Sequence, residues 1–231
     1  MDEAFILYGR DHIGALVALL LLSVVLILSC RRSADSLLSR SGVAILAFCA
    51  LAAYPINQLA YIWGDTPVTQ DNLIPLHLCD LAAFLGGLAL LTRKNIFCEL
   101  CYFWGLAGTL QGLLTPNLAY GFPHPVFISF FLQHGVIVII ALLLPLGLGW
   151  VPEKRAPLRA MAWLLAYAAV IYLINLWLGT NFAFLMHKPA GASLLDVMGP
   201  APIYIIWLIL LAGVFFVLLD LPFRRSRHRQ K

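Results

Sequence analysis

The sequence predicts an all-α integral membrane protein of seven transmembrane helices, and three observations lead there. Apolar residues make up 62% of the 231 residues and charged residues only 11%, a balance that excludes ordinary soluble classes. Seven predominantly apolar runs approach or exceed the roughly 17–25 residues needed to cross hydrocarbon about 30 Å thick. Lys and Arg cluster in alternate connectors, as cytoplasmic loops require.

The first run, 13 to 29, follows the acidic residues Asp2, Glu3 and Asp11 and precedes Cys30-Arg31-Arg32. It has neither a basic leader nor a small-residue cleavage site, so it reads as a retained helix and not a signal peptide. The second run, 42 to 63, carries Asn57 and Gln58 near its outer end, and the third, 73 to 91, is entered through IPLHLCD. The fourth, 97 to 115, carries Gln111, and the fifth, 126 to 147, carries Gln133 and His134 in FFLQHGV. The sixth, 158 to 178, ends near Asn175, and Tyr204 lies just inside the seventh, 201 to 219. Between those two, NFAFLMHKPAGASLLDVMGP (181 to 200) mixes apolar residues with Asn181, Lys188 and Asp196, and is expected to form a partly re-entrant cap. Lys188 is the cation there that would hold a phosphate.

The chain is expected to form a single membrane domain over 1–231, with residues 220–231 a basic cytoplasmic tail. Of the Lys and Arg residues, only Arg10 and Lys188 fall on the side opposite the rest. The N-terminus is therefore expected outside and the C-terminus in the cytoplasm. The tail FRRSRHRQK reads as a topology anchor attractive to anionic headgroups, so no nucleic-acid partner is expected. Cys30, Cys49, Cys79, Cys98 and Cys101 lie in or beside spans, where most of them are expected to act as small hydrophobes; no disulfide framework is expected.

Polar residues in hydrocarbon are costly unless they face a partner or a cavity, so they indicate a site. His12, Asn57, Gln58, Cys79, Gln111, His134, Asn175 and Tyr204 all fall in outer halves, whereas inner halves are nearly unbroken Leu, Val, Ile, Ala and Phe. At about 1.5 Å per residue, Cys79 lies roughly 9 Å and His134 roughly 12 Å below the outer ends of their spans. Treated as one helix, IPLHLCD puts His77 and Cys79 on different faces and His77 and Asp80 on the same one. The base for Cys79 must come from another span, and His134 is at matching depth. A thiol with an imidazole beside it is a sensible nucleophile and base pair. Asp80, Asn175 and Gln133 are open alternatives for orienting the imidazole or donating to an oxyanion.

IPLHLCD, FWGLAGTLQGLLTPNL, FFLQHGV, NFAFLMHKPAGASLLDVMGPAPIY and the early YGRDHIG together resemble the bacterial YwaF-type integral membrane proteins. Those are related to the animal transmembrane protein 164, an ether-phospholipid acyltransferase. The resemblance covers nearly the whole chain. It implies a seven-helix intramembrane acyltransferase without a cofactor, moving fatty acyl groups between phospholipids and lysophospholipids. By motif, the cysteine of LHLC and the histidine of a later span fall on Cys79 and His134.

Two rivals come from the residues themselves. His12, His77, His124, His134 and His187 on the outer side, with Asp80, would suit a metal-dependent lipid hydrolase, although no HExxH is present. A non-enzymatic seven-helix binding protein is the other. No span contains a Lys able to form a Schiff base, which argues against retinal.

Overall fold

The computed structural model describes residues 4–189 and 194–229. Asp2, Glu3, residues 190 to 193 of the connector and the end of the basic tail lie outside the described residues, as do the side chains beyond Arg224. Among the described residues the chain is helical, apart from an isolated bridge between Ala4 and Tyr120.

The elements are α1 (Arg10–Arg32), α2 (Leu37–Trp63), α3 (Gln70–Leu73), α4 (Leu78–Thr92), α5 (Asn95–Trp104), α6 (Leu110–Leu114), α7 (Pro125–Leu146), α8 (Ala156–Leu178) and α9 (Ile203–Arg229). Among the described residues six segments are long and apolar enough to cross a membrane: Arg10–Arg32, Leu37–Trp63, Gln70–Thr92, Pro125–Leu146, Ala156–Leu178 and Ile203–Arg224. The expected fourth span is built differently. There α5 runs on through a π-helical segment, Gly105–Thr109, into α6 without a break, so no one regular helix covers it.

Local chemistry explains the boundaries. Ser36 caps α2 by accepting from the Ser39 N–H, and Arg31 and Arg32 close α1, where positive charge meets the negative end of the helix dipole. Pro75 has no N–H and biases Ile74 away from helical angles, so the chain is extended before α4 begins. The expectation that all of IPLHLCD lies in one spanning helix is therefore overturned: His77 is the residue before the first turn, at φ −68° and ψ 150°.

At the centre, α7 has 78% of its span buried, against 11% for α8. It packs against α1, α2, α4 and α5, while α8 and α9 flank α5. Exposed Leu158, Trp163, Leu173, Trp177 and Leu210 on α8 and α9 are the lipid-facing side chains of a bundle in hydrocarbon. The carboxyl end of α1, the amino end of α2 and the carboxyl ends of α4 and α7 meet at one end of the bundle, lined by Arg40 and Arg93. The same basic end holds Arg159 at the start of α8.

Two carboxylates are buried at this end, where most spans are nearly unbroken in apolar residues. Glu99, fully buried on α5, is gripped by Arg159 through two hydrogen bonds, one of them Nε to Oε2 at 3.0 Å. Arg159 also reaches Glu153 at 2.9 Å, and Asn95 donates to Glu153 at 2.8 Å. Those two donors hold the exposed Glu153 carboxyl below the usual carboxylate range. The second, Asp220, accepts from Arg224 one turn later at 3.2 Å. A buried charge needs such partners because its desolvation is otherwise uncompensated. Glu99→Gln is expected to lower stability by about 1.5–3 kcal/mol, the usual worth of hydrogen bonds to a charged group. An unchanged unfolding midpoint in lipid would contradict this.

Candidate active site

The first turn of α4 places Cys79 two residues inside the helix, half-buried against Ala53, Ala82, Ala83 and Ile137. The first N–H groups of any helix have no partner within it. Here the N–H groups of Leu78 and Cys79 have no hydrogen-bond partner among the described residues, whereas those of Asp80 and Leu81 reach the His77 carbonyl at 3.0 and 3.3 Å. The Thr109 hydroxyl donates to Cys79 Sγ at 4.0 Å.

His134 lies on α7, buried, with Nδ1 2.9 Å from the Phe130 carbonyl one turn earlier. A carbonyl only accepts, so Nδ1 carries the proton and Nε2 keeps its lone pair. The ring stacks on Phe130 with centroids 3.9 Å apart. Gly112 also meets the ring: a Cβ there would sit 2.9 Å from Cδ2 and 3.2 Å from Nε2. Only glycine gives the imidazole that room. Gly105 does similar work for the backbones, since a Cβ would lie 3.0 Å from Ile137 Cγ2 and 3.3 Å from Ala141 Cβ.

Thr109 and Gly112 are three residues apart, and so share a face of the helical run within about 4.5 Å along its axis. Cys79 meets that face at Thr109 and His134 meets it at Gly112. The two contacts thus fall about one turn apart on one helical run, Cys79 at the end of its π-helical segment and His134 on α6, and no direct hydrogen bond joins Cys79 and His134 among the described residues. π-Helical turns recur at functional sites because the extra residue redirects side chains.

The supporting residues divide into groups. Asp80 Oδ2 accepts from the His77 N–H at 3.1 Å, and Oδ1 accepts from Gln133 at 2.7 Å. Gln133 in turn accepts from Asn57. This chain fixes α4 to α2 and α7. Gln133 and Asp80 thus bond each other and not His134, whose orientation comes from the Phe130 carbonyl. Asp80→Ala would leave the buried Gln133 without its acceptor and remove the cap. It is expected to cost about 1–3 kcal/mol of stability, read as a lower unfolding midpoint. An unchanged midpoint would refute this.

His77 is occupied at both ring nitrogens: Nε2 donates to the Asp71 carbonyl at 3.0 Å, and Nδ1 accepts from the Ala183 N–H at 3.4 Å. Asp71 also accepts from the Asn181 N–H at 2.7 Å. Gln58 donates to the Asn72 carbonyl at 2.6 Å, and Tyr167 donates to the Leu76 carbonyl at 2.7 Å. The stretch before Cys79 is thereby tied to α2, α8 and the connector.

Asn175 uses both ends of its amide on Thr180 and Phe182 at 2.8–3.0 Å, shaping the turn after α8 instead of reaching the imidazole. Asn181 likewise holds Met186 and His187. Lys188 Nζ lies 3.4 Å from the Asp196 carbonyl and 6.0 Å from the Tyr204 ring centre, and the Tyr204 hydroxyl donates to the Phe184 carbonyl at 2.6 Å. His12 is a separate latch, accepting from the Tyr8 N–H at 3.0 Å and donating to the Leu113 carbonyl at 2.8 Å. Gln111 is half-buried, and its side chain has no hydrogen-bond partner among the described residues. The outer histidines that the metal-dependent rival would need do not gather: among the described residues no three His, Cys, Asp or Glu side chains are placed to hold a metal.

A cavity of about 280 Å³ opens between α2 and α4, walled by Ala50, Leu51, Tyr54, Pro55, Pro75, Asp80, Leu81 and Phe84. It brings apolar surface and one carboxylate beside the turn that carries Cys79. Thr109 and Gly112 were not among the residues the sequence singled out. The small-residue run GLAGTLQG was the available signal, because small side chains mark close helix approach.

The chain is 31% identical over 228 residues to an uncharacterized protein of Treponema pallidum (strain Nichols), covering 97% of this chain and 92% of the relative. No solved structure matches it. The profile of the TMEM164 family matches residues 7–220, from just before α1 into α9 and through every element of the site. The chain therefore belongs to the TMEM164 family.

Proposed function

We propose that this protein is a phospholipid acyltransferase that works through a Cys79 thioester, with His134 as base. The observation that supports the reading is that Cys79 Sγ accepts from Thr109 while His134 Nε2 lies against Gly112, about one turn further along the same helical run, with the N–H groups of Leu78 and Cys79 left without a partner among the described residues. The Cys79 proton passes to Nε2 as sulfur attacks the ester carbonyl of a donor phospholipid. The S–C bond forms, the ester C–O bond breaks, and the leaving lysophospholipid oxygen takes the proton from the imidazolium. A second lysophospholipid reverses these steps and collects the acyl group. The Leu78 and Cys79 N–H groups receive the negative oxygen of the tetrahedral intermediate, helped by the positive end of the α4 dipole. The cavity between α2 and α4 takes the donor from the bilayer.

In this reading the run α5 to α6 is the fourth of seven spans. The N-terminus is outside, the basic end faces the cytoplasm, and the site serves the outer leaflet of a bacterial inner membrane. Membership of the TMEM164 family supports lipid acyl transfer. Purified protein in defined phospholipid should carry an acyl adduct on Cys79, visible by intact and peptide mass spectrometry and removed by hydroxylamine. Acyl transfer at the full rate without any such adduct would overturn the mechanism.

A further inference from the structure

A second cavity, of about 440 Å³, lies at the basic end of the bundle, remote from the first turn of α4. Arg40 near the start of α2, Arg93 just after α4, and Asp35 in the connector before α2 contribute its charged groups. Ala47, Leu90 and Leu148 contribute apolar wall. Its volume is that of ordinary ligand sites, which run from about 300 to 1,000 Å³.

Two cations at this end are tied to carboxylates: Arg159 holds Glu99 and Glu153, and Arg224 holds Asp220. Arg40 and Arg93 make no ion pair or side-chain hydrogen bond among the described residues, and unlike Arg31, Arg32, Lys94, Lys154 and Arg155 they line the cavity. They are not cross-links of the fold. Guanidinium groups match phosphate oxygens in charge and shape, and two of them against one Asp35 leave the rim positive. From Arg40 to Ala47 the cavity wall runs about 10 Å along α2, deeper than a phosphate alone needs. Its inner part is apolar, which suits a hydrocarbon chain. Basic pockets between spanning helices are a recognised setting for anionic lipid headgroups.

We propose that this cavity is a binding site for an anionic phospholipid, with the phosphate between Arg40 and Arg93 and one acyl chain against Ala47, Leu90 and Leu148. The inference stands independently of the acyl-transfer reading, because it uses none of the residues of that site. The lipid staples the ends of α1, α2, α4 and α7 together at the bilayer surface.

Native mass spectrometry of the full chain in detergent tests this, with dioleoylphosphatidylglycerol, dioleoylphosphatidylcholine and inorganic phosphate as the added probes. Phosphatidylglycerol should bind more tightly than phosphatidylcholine, and R40A/R93A should weaken it on the order of tenfold or more. R40K/R93K should retain much of the binding, showing that the alanine protein fails for want of charge and not of fold. R31A/R32A removes the same charge at the same end outside the cavity, and should leave affinity within about twofold. Three results would overturn the proposal: equal binding of the two lipids, equal losses in the two alanine variants, or displacement of phosphatidylglycerol by inorganic phosphate alone.

Discussion

Cys79→Ala is expected to abolish the acyl adduct and to lower acyl transfer by at least about 10³-fold, the scale on which nucleophile removal acts in covalent catalysis. The substitution is well suited to the test. Cys79 packs against Ala53, Ala82, Ala83 and Ile137, so alanine removes only a sulfur from a small-residue surface. The fold should lose about 1 kcal/mol at most, near the value of one buried methylene-sized group. Donor binding should persist, because the α2–α4 cavity does not include Cys79 in its wall. The expected pattern is thus a collapsed turnover number with an almost unchanged KM. Cys79→Ser tests the same point from the other side: it keeps a hydroxyl at the attacking position, and an oxygen ester there should accumulate slowly if at all. Transfer at the wild-type rate in Cys79→Ala would remove the thioester from consideration.

Loss of the base should be the next largest effect. His134→Gln is expected to slow Cys79 acylation by about 10²–10⁴-fold, the usual worth of a positioned general base. The more searching variant is Gly112→Ala, which leaves both reacting groups intact. Its Cβ would intrude to 2.9 Å from Cδ2 and 3.2 Å from Nε2, so the imidazole must move. The ring cannot simply back away while Phe130 stacks on it at 3.9 Å and accepts from Nδ1. Misplacing a catalytic group by about 1 Å costs on the order of 100-fold. The readout is the rate of adduct formation at saturating donor, with lipid binding measured separately. An unaltered acylation rate in Gly112→Ala would show that Nε2 in this position is not the group that takes the thiol proton.

Much of the architecture was legible in residue order. The apolar runs, the segregation of arginines and the long apolar connector correspond to helices, a basic end and a segment whose Phe182 is fully buried. The depth argument for Cys79 and His134 assumed unbroken helices; the structure starts α4 at Leu78. Yet both side chains still reach the same helical run, because α7 is continuous and the turn before α4 is held in place by Asp71, Asn181 and Tyr167. His77 and Asp80 do interact, as their spacing suggested, but through a backbone cap and not as two side chains on one helical face. The choice among Asp80, Asn175 and Gln133 as partner of His134 had no answer in the sequence. Each is committed elsewhere, and a backbone carbonyl, which no residue type announces, does the orienting.

Glu99 shows the opposite limit. Its charge is plain in the sequence, but a lone carboxylate near a span end gives no sign of whether it faces headgroups or the interior. The pairing with Arg159 spans 60 positions and depends on how α5 packs beside α8.

Composition and order dictate that this chain is helical, lies in a bilayer and keeps most of its basic residues at one end. Those properties follow from local terms, the transfer of each side chain to hydrocarbon and the helical period, that sum along the chain. Which polar groups meet depends instead on rotation and register between helices, set by close contacts such as Gly112 against His134 and Gly105 against Ile137. Packing is a property of pairs distant in sequence, and at this site a single added methyl group would change it.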